Sequence, residues 1–156
     1  QDGVRPDGAP SKTWLEVRGR FERAGAAFSH LRVVPGTGRK HQIRIHLASI
    51  GHPVMGDDTY GGGGGRSLVA LPPKRHFLHA AWLRFVHPVT RQAMDLRAPL
   101  PHDLCVSLAT VADDATLRDE RDPLVRYDKD DATALGLSAE AALQSGLTRV
   151  ATRLLP

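Results

Sequence analysis

One cysteine, Cys105, in 156 residues excludes an intramolecular disulfide framework and any thiolate metal cluster. That scarcity fits an intracellular protein, with cytoplasm, nucleus and an organelle such as the mitochondrion all compatible. Long apolar runs are missing as well. No stretch approaches the length needed to cross a bilayer, and no charged-then-apolar leader opens the chain, so no membrane partner is expected. An initiating methionine is also lacking. The chain opens on Gln1 within "QDGVRPDGAPSK", a loop-like run. Residues 1–12 are therefore expected to be a loop or linker, with the chain starting inside a longer protein.

What is present suits one domain with a single modest core. The net charge of +4 conceals an asymmetry. Residues 1–105 carry 15 Lys/Arg against 8 Asp/Glu, whereas residues 106–156 carry 6 against 9. All eight histidines fall between His30 and His102. A basic globular part followed by an acidic tail is the footprint of a polyanion partner, although an arginine-rich solvated surface has the same composition.

Hydrophobic periodicity divides the chain further. "TWLEVRGRF" and "AFSHLRVVP" predict two strands joined by a turn at Ala24-Gly25-Ala26. In the second, Leu31 and Val33 alternate with His30 and Arg32, which predicts one apolar and one basic face. Pro35-Gly36-Thr37-Gly38 stops the strand, and the period becomes helical from Arg39 to Ile50, with Ile43, Leu47 and Ile50 on one side. Gly51 fits the left-handed position after a helix. The five glycines of residues 61–65 predict a flexible loop tolerant of insertions. "HFLHAAWLRFVH" and "QAMDLRAPL" then read as a hairpin, with Met94 and Leu96 facing inward. "HDLCVSLATV" reads as a short helix burying Leu104, Leu108 and Val111. From residue 112 the chain is acidic and poor in large apolar residues, so residues 112–156 form a tail open to disorder or to a protein partner. A helix is expected from Ser138, capped by Ser138 itself. Its stripe of Leu143, Leu147, Val150 and Leu154 suits docking onto a core or partner better than a membrane surface.

The chemistry concentrates in "GTGRKHQIRIHLASIGHPVMGDDTYGG", residues 36–62. A zinc site is not expected, because His41 and His46 are five apart rather than four, no glutamate lies between them and no cysteine is nearby. A nucleotide-binding glycine loop is not expected either, since the glycine spacing and the Lys-Ser/Thr ending are wrong. Arg39 and Lys40 at the helix start can still hold an RNA phosphate. His41 and Arg44, three apart, share a face, and an arginine there can grip a carboxylate bidentately or stack on a base. These residues by themselves point to a polyanion-binding α/β domain.

The same stretch resembles the C-terminal signature of the RluA-type RNA pseudouridine synthases. That family pattern runs Gly-Arg-x-His-Gln-(Ile/Leu)-Arg-x-His-(Leu/Met), then Gly-x-Pro-x-x-Gly-Asp-x-x-Tyr-Gly. Here its positions are Gly38, Arg39, His41, Gln42, Ile43, Arg44, His46 and Leu47, then Gly51, Pro53, Gly56, Asp57, Tyr60 and Gly61. Lys40 stands where the family often has a small or hydroxyl residue. "FLHAAWLRFVHPVTRQAMDLRAPLPHDL" resembles the family's Leu-His-Ala strand, His-Pro turn and Ala-Pro-x-Pro strand, so the resemblance covers about residues 8–108.

The resemblance implies an α+β fold: a mixed, mostly antiparallel sheet with flanking helices and loops, of which residues 13–111 are the C-terminal half. It implies isomerisation of uridine in ribosomal or transfer RNA, with the uridine flipped out and attacked by an aspartate. Neither metal nor organic cofactor is implied. Arg44 matches the arginine that pairs with that aspartate, and Leu78 matches an apolar residue lining the uracil pocket. Arg39, Lys40, His41 and His46 are the further expected RNA contacts. The family's Arg-Leu-Asp-x-x-Thr-Ser-Gly segment, which carries the nucleophile, does not occur in these residues, and Asp57 is expected only to anchor a loop. Residues 1–156 alone are therefore expected to be inactive and not to fold independently. The alternative is an inactive relative kept for RNA binding, such as a ribosome-assembly or scaffold subunit.

Overall fold

The computed structural model describes residues 3–115 and the backbone of residues 148–155. Strands β1 (Thr13–Arg23) and β2 (Ala26–Pro35) form the expected antiparallel hairpin. Ala24 and Gly25 turn it with φ of 50° and 75°, the paired left-handed residues whose twist matches the flanking strands. Helix α1 (Gln42–Ser49) follows. A long connection with one 3₁₀ turn, Arg66–Val69, leads to β3 (Leu78–Val86) and β4 (Ala93–Arg97). Helix α2 (His102–Ala112) and strand β5 (Thr148–Leu155) complete the described elements.

The five strands lie in the order β1-β2-β5-β3-β4, and every pairing among the described residues is antiparallel. The architecture is α+β, as expected. Leu31 and Val33 turn to one face of the sheet, where Leu47 of α1 packs on them with Ile43 and Leu78. Phe28 anchors a larger core with Met55, Phe77 and the α2 residues Leu104 and Leu108.

Three expectations need correction. Residues 148–155 are a strand, not the end of a helix. "TRVATRLL" carries the β-branched residues Thr148, Val150 and Thr152, and the slot between β2 and β3 supplies hydrogen-bond partners along both edges. A short terminal helix has no comparable gain. The earlier part of that expected helix, and the acidic run before it, lie outside the described residues. The basic face of β2 is buried too: His30 and Arg32 are 1% and 4% exposed, and Arg32 lies 5.7 Å from the Trp82 ring centre. Leu96 is exposed, since β4 is an edge strand beyond the reach of α1, while Met94 is half-buried. Ile50 is exposed as well, because α1 ends before it.

Burial of His30 has a pH consequence. Desolvation, helped by the nearby charge of Arg18, lowers its imidazole from the ordinary 6.5 to about 4. The unfolded chain then takes up this proton first as pH falls. Stability is complete above pH 6.5 and is lost progressively toward pH 4, by about 3 kcal/mol for this group. Urea midpoints across that range should fall steeply for the native chain and much less for His30→Gln. Equal slopes would show that another group governs the acid limb.

Candidate active site

The site begins where β2 ends. Gly36 N donates to Lys12 O at 2.8 Å, and a side chain there would strike the Trp14 ring. Gln42, 5% exposed, then ties the loop to β1. Its Oε1 accepts from Thr37 Oγ1 at 2.6 Å and from Arg39 N at 3.1 Å. Its Nε2 donates to Lys12 O and Thr13 Oγ1, both at 2.9 Å. Both donors and both acceptor positions of the amide are thus used, which pins the start of α1 to the sheet.

His41 caps α1 in the left-handed region, φ 52°, a conformation histidine tolerates better than most residues. It directs the imidazole to Tyr60, whose hydroxyl shares a 3.1 Å hydrogen bond with His41 Nδ1. One turn along, Arg44 reaches Asp57. Its Nε and Nη2 donate to Oδ2 and Oδ1, both at 2.7 Å, the planar two-point match of guanidinium to carboxylate. The Asp57 side chain is fully buried and that of Arg44 is 12% exposed. Tyr60 lies across the guanidinium, its ring centre 4.9 Å from Cζ.

Asp57 is held by its own turn. Its Oδ1 also accepts from Thr59 N at 3.1 Å and Tyr60 N at 3.2 Å. The turn closes on itself through Gly62 N to Asp57 O at 2.8 Å and Gly56 N to Gly62 O at 2.6 Å. The Gly-Asp-x-x-Tyr-Gly spacing therefore has a physical reason. Gly56, φ 82°, lies against Arg75 O and Gly62 against Val54 O, leaving no room for a Cβ at either. Gly62, the second residue of the glycine run, is thus packed rather than loose.

Burial pushes the Asp57 carboxyl up. The Arg44 hydrogen bonds and charge, the Tyr60 amide and nearby His76 outweigh it and hold the carboxyl below its usual value. Asp57 in turn raises Arg44, the hydrogen bond being the largest cause. Burial lowers His76, which also feels Asp57, Arg44 and Arg66.

The expected site residues divide between two concavities. Arg44, Leu78, His41 and Arg39 line one of about 230 Å³, with Pro35 and Ile43 as further apolar wall. Lys40 and His46 line another of about 520 Å³, which Arg39 also borders together with Arg5. His46 is held there by Ser11 Oγ at 2.9 Å and Thr13 Oγ1 at 2.8 Å, away from Arg44. The larger roles of Asp57, Tyr60 and Gln42 were not drawn from the sequence. All three stand in the motif, but partners 13 and 30 residues away are invisible to spacing. Asp57 does anchor its loop as expected, and it also supplies Arg44 with a carboxylate from within these residues. The described residues contain no group of three or more side chains suited to a metal, and no helix among them is long and apolar enough to cross a membrane.

Several proteins similar in sequence to this chain are named as RNA pseudouridine synthases. A "Ribosomal large subunit pseudouridine synthase D" of Xylella fastidiosa is 40% identical over 127 residues, 76% of this chain and 37% of that protein. An "Uncharacterized RNA pseudouridine synthase" of Chloroflexus aurantiacus is 42% identical over 113 residues, 72% of this chain and 33% of its own. A "Ribosomal large subunit pseudouridine synthase C" of Yersinia pestis is 40% identical over 116 residues, 74% and 35% of the two chains. No family model matches the chain. The chain belongs to the RluA-type pseudouridine synthase family. It spans about a third of the length of these curated relatives.

Proposed function

We propose that these residues are the C-terminal part of an enzyme that isomerises uridine to pseudouridine in RNA, with the RNA of the large ribosomal subunit, the subunit for which several relatives are named, as the substrate. The observation that carries this reading is the state of Arg44. Asp57 takes two of its five N–H donors and fixes the guanidinium plane, and the residue also lines the concavity that holds Leu78. A guanidinium held along one edge is ready to orient a second carboxylate along the other. Asp57 itself is a poor candidate for the nucleophile, since both of its oxygens are engaged and it is fully buried. The nucleophile in this reading is the family aspartate of the Arg-Leu-Asp-x-x-Thr-Ser-Gly segment, outside these residues.

The chemistry then assigns roles. The aspartate attacks ribose or base, the base detaches, turns and rejoins through carbon, and no cofactor is consumed. Leu78 and Ile43 offer apolar wall to the flipped base, while Arg39 and His41 stand at the rim for the flanking backbone. Lys40 and His46, in the neighbouring concavity, contact RNA farther along the strand.

The test is to delete the gene, map pseudouridine in ribosomal RNA, and restore the gene as native or Arg44→Lys. The native gene should restore a missing pseudouridine. Arg44→Lys keeps the charge but loses the two-edged fork, and purified enzyme should turn over at least about 100-fold more slowly, the scale of losing one positioned electrostatic contact. Residues 1–156 alone should give no product. Product from the isolated chain, or full activity of Arg44→Lys, would overturn the assignment. RNA binding without any modification would instead identify an inactive assembly subunit.

A further inference from the structure

The sheet face turned away from α1 carries a second concentration of positive charge. Both tryptophans of the sequence lie there, packed on Val34, and both have cations over their rings. Lys12 Nζ lies 4.9 Å from the Trp14 ring centre. Around Trp82, the Cζ atoms of Arg97, Arg84 and Arg32 lie at 3.9, 5.3 and 5.7 Å. Asp95 accepts from Trp82 Nε1 at 2.6 Å and pairs with Arg84 at 3.1 Å and Arg97 at 3.6 Å. One carboxylate therefore serves two guanidinium groups, and Lys12 adds a further exposed charge. Arg97 is 51% exposed and Arg84 31%, so both side chains reach solvent.

We propose that this face, through Lys12, Arg84 and Arg97, is a second RNA-contact surface that binds the phosphodiester backbone without reading bases. The choice of RNA as the ligand rests on the proposed function. A guanidinium stacked on an indole uses its face for the ring and keeps its N–H donors in plane, where a phosphate can meet them. The same stacking covers the ring surface a base would need, so recognition falls to phosphates rather than to base stacking. The surface lies across the sheet from Arg44, so RNA held there is a flanking segment and not the target nucleotide.

The experiment measures binding of the protein, as its gene encodes it, to a labelled mixed-sequence single-stranded RNA of about 20 nucleotides, longer than one binding module covers. Salt is varied between about 50 and 200 mM. Losing two phosphate contacts in R84Q/R97Q should flatten the plot of log affinity against log salt by about 1.4 and weaken binding about 10- to 30-fold at 0.1 M salt. D95N keeps an acceptor for Trp82 and adds one net positive charge, and should tighten binding by up to about fivefold. An unchanged slope in R84Q/R97Q with an unchanged melting curve overturns the proposal. If R84Q/R97Q melts early, D95N decides, and failure to tighten is the overturning result. Polyglutamate is the companion probe: substitutions that alter its binding and leave RNA binding unchanged would assign the face to an acidic protein and overturn the RNA reading. Loss of pseudouridine formation in Arg44→Lys with these slopes intact would separate the two sites.

Discussion

Asp57→Ala should lower the unfolding free energy by about 3–5 kcal/mol, the scale for removing one partner of a buried ion pair. The cost has two parts. Arg44, with a side chain only 12% exposed, loses its carboxylate and keeps its charge. The turn loses the acceptor for Thr59 N and Tyr60 N, so two amides must find water. Asp57→Asn separates these parts, since its amide oxygen can still accept from the turn while the charge is gone.

The pH dependence is opposite in origin to that of His30. The folded Asp57 carboxyl sits below the ordinary range, so its stabilisation is complete above the unfolded value near 3.9 and disappears only as pH falls through the lower folded value. The difference in urea midpoint between native protein and Asp57→Asn should therefore be flat from neutral pH down to about 5 and shrink below about 4. A loss under 1 kcal/mol for Asp57→Ala would mean that Arg44 is solvated or paired elsewhere and that the buried Arg44–Asp57 pair does not form.

Gly62→Ala should be almost as damaging, by about 3 kcal/mol, although it adds a single methyl group. That methyl would press on the backbone carbonyl of Val54, and a carbonyl, unlike a side-chain tip, cannot swing aside. Relief requires opening the hydrogen bonds from Gly62 N to Asp57 O and from Gly56 N to Gly62 O. The ring that carries Asp57 would open with them, so Gly62→Ala should also loosen Arg44. The contrast is Gly64→Ala, two residues along, where an added Cβ meets nothing within 4 Å and the melting temperature should barely move. Equal effects at both positions would show that the whole glycine run is loose, as composition alone suggests.

Local pattern was sufficient for several elements. The β1–β2 hairpin follows from alternation and two turn residues, α1 from the change of period after Gly38, and α2 from its apolar spacing. Each rests on contacts within a few residues or on one buried face, which spacing records directly. The motif likewise singled out residues that the fold brings together. Arg44, His41, Arg39 and Leu78 do line one concavity, although Leu78 is more than 30 residues from the others.

What local pattern could not carry was anything decided by a distant partner. "TRVATRLL" tolerates helix or strand, and it becomes a strand because two open edges wait for it in the sheet. His30 and Arg32 are polar residues of an alternating strand, yet both are buried, Arg32 against the ring of the sequence-distant Trp82. Leu96 alternates like a buried residue and is exposed because its strand lies at the sheet edge. The sequence by itself determined the hairpin, the helices and the identity of the motif, since periodicity and turn chemistry act locally. Only the tertiary structure decided that Arg44 is held by Asp57, because a buried charge pairs with whichever carboxylate the folded chain brings within hydrogen-bond reach.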